Sequence, residues 1–218
     1  MKSLIAVIFI LTLINSCQID TTKEIDYIYN YYHFYRLHKD NSRIDRVSFS
    51  KVLFNNLNDS LTILTISEDS VYFPIFDTTE ISDRKYQIQI KIIEENLTSS
   101  SIKIGDSDFY GNYVLTLLKK HTIKGKEYRI FRFDHDFDGD DGRDAIFYTK
   151  EFGIIMQFGY DKGGLDRLSE IKNSENKDYL VLTEKMLDDT VFLFTPMEML
   201  YEHLGLTRYK LNAARCKF

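Results

Sequence analysis

The sequence predicts a mainly β, or α+β, fold: an antiparallel sheet, sandwich or open barrel with a short helix near residues 196–204. Composition is the first reason, because the 218 residues include 15 Tyr and 16 Phe with only two Pro, which favours strands. The second is a series of short β-prone segments separated by turn-forming residues. A chain of this length suits one domain, here residues 25–218.

The first element of this domain has two interpretations. In EIDYIYNYYHFYRLHKD, Tyr27, Tyr29 and Tyr31 alternate as on a strand, whereas Ile28 and Tyr32 are also close to helical spacing. A tyrosine cluster of this kind is typical of a core and its rim, and it would also suit stacking on sugars.

The middle of the chain predicts strands joined by short turns. VSFSKVLF and SLTILTIS flank the turn-forming NNLND, which indicates a hairpin. KYQIQIKII alternates apolar and polar residues, as does a strand with one wet face. NYVLTLLKKHTIKGKEYRIFRF predicts two strands around KGK, and AIFYTKEFGIIMQFGY predicts two more, followed by a turn at DKGGLD. Short connections of this kind favour antiparallel pairing.

The predicted helix lies in TPMEMLYEHLG. Thr195 can cap its first turn, Pro196 suits the first helical position, Glu198 completes a capping box and Gly205 can end the helix. We therefore expect a β-dominated domain with this helix close to its C-terminus.

The N-terminus has the pattern of a signal sequence. Lys2 precedes an uncharged apolar run, residues 4–14, that ends in Ile14-Asn15-Ser16-Cys17. Eleven helical residues rise only about 16 Å, roughly half the hydrocarbon thickness of a bilayer, so the run is too short to span. This ending resembles the lipobox of bacterial lipoproteins. Counted from the cleavage site before Cys17, it has an aliphatic residue at −3, a small residue at −1 and the cysteine at +1.

The resemblance implies a lipid anchor. Residues 1–16 would be a signal peptide, Cys17 would be the lipidated residue, and residues 17–24 would form a short tether to a membrane. Acylation by more than one chain gives stable anchoring. The implied location is the bacterial cell envelope, and because Gln18 is not aspartate, the outer membrane is favoured where the cell has one. The alternatives are an ordinary secretory signal, a short buried helix, or a Cys17–Cys216 disulfide.

Most of the excess negative charge lies in one short segment, residues 134–144. Its six aspartates and one arginine carry a net charge of −5, which equals the formal charge of the entire chain. The candidate metal ligands in this segment are Asp134, Asp136, Asp138, Asp140, Asp141 and Asp144. The sequence therefore indicates one local anionic site and no broadly acidic surface.

Alternate aspartates followed by Gly139 resemble the D-x-D-x-D-G opening of calcium loops. Ca²⁺ requires six to eight oxygen ligands, and a curled turn can aim alternate carboxylates at one point. An EF-hand is excluded because its twelfth position holds Ala145, so Asp144 or Asp141 would have to close the shell. We therefore expect a structural Ca²⁺ site in a turn between strands; a solvated acidic turn is the alternative.

No catalytic motif is present. The sequence lacks G-x-S-x-G, H-E-x-x-H, a P-loop, G-x-G-x-x-G and C-x-x-C, and its five histidines have no metal-ligand spacing. No basic patch indicates nucleic acid. The expected function is that of a non-enzymatic binding or accessory protein, its ligand a glycan, peptide or protein. The competing expectation is an envelope hydrolase with an acidic cleft. A purely structural lipoprotein that bridges envelope components is a third.

Overall fold

The computed structural model describes residues 24–33, 44–58, 60–93, 101–106, 109–135, 144–159, 164–189 and 192–193. Eleven strands and one helix within these ranges have their bounds at described residues. They are β1 (Glu24–His33), β2 (Arg46–Asn58), β3 (Leu61–Phe73), β4 (Thr78–Ile81), β5 (Lys85–Lys91), β6 (Ser101–Asp106), β7 (Phe109–Ile123), β8 (Lys126–His135), β9 (Asp144–Thr149), β10 (Gly153–Gly159), β11 (Gly164–Ile171) and α1 (Asp178–Asp188).

All described strands belong to one antiparallel sheet, which confirms the predicted mainly β fold. Its order is β2-β1-β11-β10-β9-β8-β7-β6-β5-β3-β4. Strand β2 pairs with β1 along one edge and with β3 along the other. The pairings therefore form a closed ring of ten strands, which the pairing of β2 with β3 completes. Strands β5 and β4 pair with successive parts of β3: β5 with residues 61–67 and β4 with residues 70–73. Among the described residues, β4 pairs with no other strand.

The ring of pairings has two ends because successive strands run in opposite directions. At the distal end β1, β8 and β10 finish while β2, β9 and β11 begin. At the basal end β1 begins, at Glu24, and β11 finishes, at Ile171. The acidic segment joins β8 to β9 and so connects strands at the distal end.

Apolar residues that face the inside of the ring pack tightly against one another. Alternate positions of the strands supply them, and each is at most 2% exposed. They include Val52, Leu64, Ile88, Ile90, Ile102, Phe133, Ile146 and Leu168. Full burial of an aliphatic or aromatic side chain contributes about 1.5–3 kcal/mol, so this core stabilises the closed arrangement.

A second buried layer covers part of the outside of the ring. Helix α1 packs against β7, β10 and β11, burying Tyr179, Leu182 and Met186, which follow one another at helical spacing. Strands β9 and β10 are buried at almost every position, so both of their faces are covered, which explains why FGIIMQFG is almost continuously apolar. The hydroxyl of Tyr128 donates to Asp178 at 2.7 Å and ties β8 to the start of the helix.

The structure agrees with some of the predicted details and differs from others. The segment with two interpretations is a strand, β1, and KGK is a two-residue turn with positive φ at Lys124 and Gly125. The predicted turn at DKGGLD is wrong in its second half, because Gly164 already begins β11. The helix expected near residues 196–204 lies outside the described residues, and α1 was not predicted.

Candidate functional site

The inside of the ring changes from apolar to polar towards the distal end. We call Tyr31, Arg46, Ser48, Ser50 and Asp166 the polar wall; they lie on adjacent strands β2, β1 and β11. Tyr31 is paired with Arg46 on one side and with Asp166 on the other. Cross-strand partners share a face of the sheet, so these three side chains lie side by side on the inner surface.

An ion pair between Arg46 on β2 and Asp166 on β11 crosses β1, the strand that lies between them. Nη2 of Arg46 donates to Oδ1 and Oδ2 of Asp166 at 3.1 and 3.3 Å. To reach that carboxylate the guanidinium crosses Tyr31, with its carbon 4.8 Å from the ring centroid. The side chains of Arg46 and Asp166 are 34% and 29% exposed. Solvent therefore reaches this part of the interior, unlike the basal half.

Glycine at position 164 allows Tyr31 to lie against the wall. A Cβ added to Gly164 would meet Tyr31 Oη at 2.3 Å and two ring carbons at 2.7 Å. Real Cβ atoms do not approach other atoms so closely, and any larger residue would displace the tyrosine. Since Arg46 extends over the same ring, this glycine also helps to place the ion pair.

The carboxylate of Asp166 lies in an environment that disfavours its charge. Burial raises its pKa above the usual value, Arg46 partly reverses the effect, and Glu68 raises the pKa further. Glu68 is on β3, paired with Ser50, and so faces the wall. Two carboxylates and the guanidinium of Arg46 therefore lie close together in this part of the interior.

Three polar groups of the wall have no protein partner within the described residues. Ser48 and Ser50 are only 6% and 7% exposed, and neither hydroxyl takes part in a hydrogen bond there. Nε of Arg46 is buried and likewise has no acceptor in the described chain. An enclosed polar atom such as this Nε normally has a partner, and leaving it without one costs about 1–3 kcal/mol. The wall thus has hydrogen-bonding capacity that the described protein does not use.

Tyrosines line the inner surface next to the wall. Burial, with Glu68 and Asp166, raises the pKa of Tyr86 to about 12, so its hydroxyl stays protonated and available as a donor near neutral pH. Further round the ring Tyr113 stacks on His135 with centroids 4.7 Å apart. Burial and the nearby Asp144 raise the pKa of Tyr113 well above its usual value.

The predicted metal ligands are described only at the two ends of the acidic segment. Asp134 is 2% exposed and accepts from Nη2 and Nε of Arg132, at 2.7 and 3.2 Å. It pairs with Ala145, so the adjacent Asp144 lies on the opposite, inner face of the sheet. The structure does not bring Asp134 and Asp144 together. Asp136, Asp138, Asp140 and Asp141 lie outside the described residues, as does the predicted lipidation site Cys17.

Arg132 links the start of the acidic segment to a later part of the chain. Its Nη1 donates to the carbonyl oxygen of Phe192 at 2.7 Å, and its side chain is fully buried. A buried carboxylate is needed to compensate this guanidinium, and Asp134 supplies it. The role of Asp134 in the described structure is therefore that of a buried ion-pair partner.

The described residues show neither a metal-ligand cluster nor a membrane-spanning helix. They contain no group of three or more His, Cys, Asp or Glu side chains arranged to hold a metal ion. Among them there is also no helix of the length and apolarity needed to cross a membrane.

Comparison of this chain with protein-family models, with curated proteins and with solved structures found no match. Its sites are therefore inferred from its own residues and their arrangement.

The residues of the polar wall other than Tyr31 were not singled out from the sequence. The alternation of Arg46, Ser48 and Ser50 with Val47 and Phe49 does mark a strand. Nothing in that pattern indicates that the polar set faces inwards. The available signal was the tyrosine alternation in β1, which identifies the neighbouring strand of the same surface.

We expect the phenol of Tyr86 to ionise at about pH 12 in the folded protein. The difference in tyrosinate absorbance between the wild type and a Tyr86→Phe variant, followed against pH, isolates this group. Because the unfolded chain loses the proton near pH 10 and the folded chain keeps it, stability falls as pH rises through this interval. A difference titration centred near pH 10 in folded protein would contradict the inward position of Tyr86.

Proposed function

We propose that this protein is a lipid-anchored, non-enzymatic binding protein of the bacterial cell envelope, with its ligand held on the polar wall. The observation that carries the binding role is the set of inward-facing polar groups with no partner in the described residues, Ser48, Ser50 and Arg46 Nε. A protein with only a structural role has no need of such groups, because an apolar inner surface would stabilise it better.

The anchor in this proposal is the lipobox-like sequence ending in Cys17. The domain begins after a tether of a few residues, and β1 starts at the basal end with Glu24. The ten residues of β1 rise about 33 Å, so the polar wall would lie on the side of the domain remote from the anchor. This orientation leaves the distal end facing away from the membrane.

The competing proposal is an envelope hydrolase acting on a glycan or peptide. The raised pKa of Asp166 favours it, since a general acid must keep its proton near neutral pH. Both oxygens of Asp166, however, accept from Arg46, which favours the anion. We therefore prefer binding to catalysis.

A structural Ca²⁺ in the segment 134–144 completes the proposal. Its support is the spacing of Asp134, Asp136 and Asp138 before Gly139 in a connection between strands. The ion pair of Asp134 with Arg132 means that the shell would depend on the other aspartates. Bound Ca²⁺ would neutralise the like charges concentrated at the distal end.

We expect the Cys17→Ser variant to lose acylation and to retain residues 1–16. Expression in a bacterial host with labelled palmitate, followed by mass spectrometry of the N-terminus, measures both. Cys216→Ser is the matched control and should be labelled and processed like the wild type. Label that persists in the Cys17→Ser variant would refute the anchor.

We expect Ca²⁺ to raise the melting temperature, relative to chelator at low ionic strength, by about 5 °C or more at a hundredfold excess over its Kd. Asp138→Ala should abolish this shift and leave the melting temperature in chelator almost unchanged.

Asp134→Ala provides the contrast in the same measurement. Because it leaves Arg132 buried without its carboxylate, it should lower stability by about 3–5 kcal/mol with Ca²⁺ and with chelator alike. Equal melting temperatures of the wild type in Ca²⁺ and in chelator would rule out the structural ion.

A further inference from the structure

The polar wall limits the chemistry of a ligand through its charges. Arg46 is positive, whereas Asp166 and Glu68 are negative. A small anion would meet two carboxylates, and a small cation would meet the guanidinium, so neither is accommodated without repulsion. The Arg46–Asp166 pair is already formed, which leaves single hydrogen bonds as the remaining interactions of these groups.

The unused groups are a mixture of donors and acceptors. Nε of Arg46 can only donate, while the hydroxyls of Ser48 and Ser50 can each donate one hydrogen bond and accept others. Tyr86, with its proton retained, adds a donor on the same inner surface. Ligand atoms that both donate and accept match such a set, and alcohol hydroxyls have this property.

The two serines are also spaced for a ligand with several hydroxyls. Ser48 and Ser50 are two positions apart on β2, so their side chains leave the same face about 7 Å apart. Arg46 continues the row by two more positions. A row of this length can contact successive hydroxyl groups of one or two linked sugar rings.

We propose that the polar wall binds a neutral saccharide, with Ser48, Ser50 and Arg46 Nε hydrogen-bonded to its hydroxyl groups. This inference rests on the proposed binding role and specifies the class of ligand. Specificity for hydroxyls follows because a ligand without them leaves the enclosed Nε of Arg46 unpaired and takes water away from the two serine hydroxyls.

The test is calorimetric titration of the full-length chain, solubilised in a detergent without a sugar headgroup. The neutral probes are glucose, galactose, mannose, N-acetylglucosamine, maltose, cellobiose, lactose and chitobiose. Phosphate, putrescine and glycine are the anionic, cationic and zwitterionic probes. We expect binding of at least one neutral saccharide and no binding of the charged probes.

The double variant Ser48→Ala/Ser50→Ala examines the site itself. Since neither hydroxyl has a partner in the described protein, the melting temperature should not fall, while affinity for the saccharide falls about tenfold or more. Ser67→Ala is the matched control, because Ser67 pairs with Lys51 on the outer face, and it should bind like the wild type.

The outcomes separate this inference from the proposed function. Absence of binding by every neutral saccharide, or binding that the double variant leaves unchanged, overturns the inference. Binding of a charged probe that the double variant abolishes also overturns the saccharide assignment, yet it preserves the wall as a binding site. Loss of the lipid anchor on its own would leave the result of this titration intact.

Discussion

The pairing of β2 with β3 is the constraint on which the rest of the structure depends. It extends from Val47 opposite Tyr72 to Asn58 opposite Leu61, and it supplies the second edge of both strands. Without it the sheet would have two long exposed edges, which are sites of unwanted strand addition. With it, ten strands have a neighbour on each side, and the sheet acquires an inside that is distinct from its outside.

The basal half of the interior contributes mainly to stability, whereas the distal half contains the proposed binding site. The basal half is packed with apolar side chains such as Val52, Leu64 and Ile90. The distal half contains the polar wall, where the enclosed Nε of Arg46 without a partner in the described residues and the raised pKa of Asp166 indicate that stability has been given up. Such local conflicts with good packing are typical of functional sites. Helix α1 compensates by covering the outer faces of β10 and β11 with a second apolar layer.

The strands were predictable because their signals are local. Alternation in β5 and the turn at Lys124-Gly125 depend only on neighbouring residues, and the structure has both where the sequence indicated them. Helix α1 was missed, although Tyr179, Leu182 and Met186 have the spacing of a buried helical face. Lys177 provides no side-chain cap, so the usual signal for a helix start is absent.

The candidate site was harder to predict because its geometry is not local. In β2, alternation alone would place the apolar Val47 and Phe49 inside, whereas Ser48 and Ser50 have that position. Register with β1 and β3 decides which set faces inwards, and a one-residue change of register exchanges the two. The pairing of Asp166 with Arg46 likewise joins strands 120 residues apart. Asp134 belongs to the acidic pattern in the sequence, yet in the structure it forms a buried ion pair with Arg132.

Amide hydrogen exchange along β2 tests the closed pairing most directly. In a strand, successive amides point to opposite neighbours, so residues 47–53 report on β1 and β3 alternately. The structure predicts that all of these amides exchange slowly, with no difference between odd and even positions. Rapid exchange at every second amide, with protection confined to those directed at β1, would show that β2 is an edge strand and would contradict the enclosed polar wall.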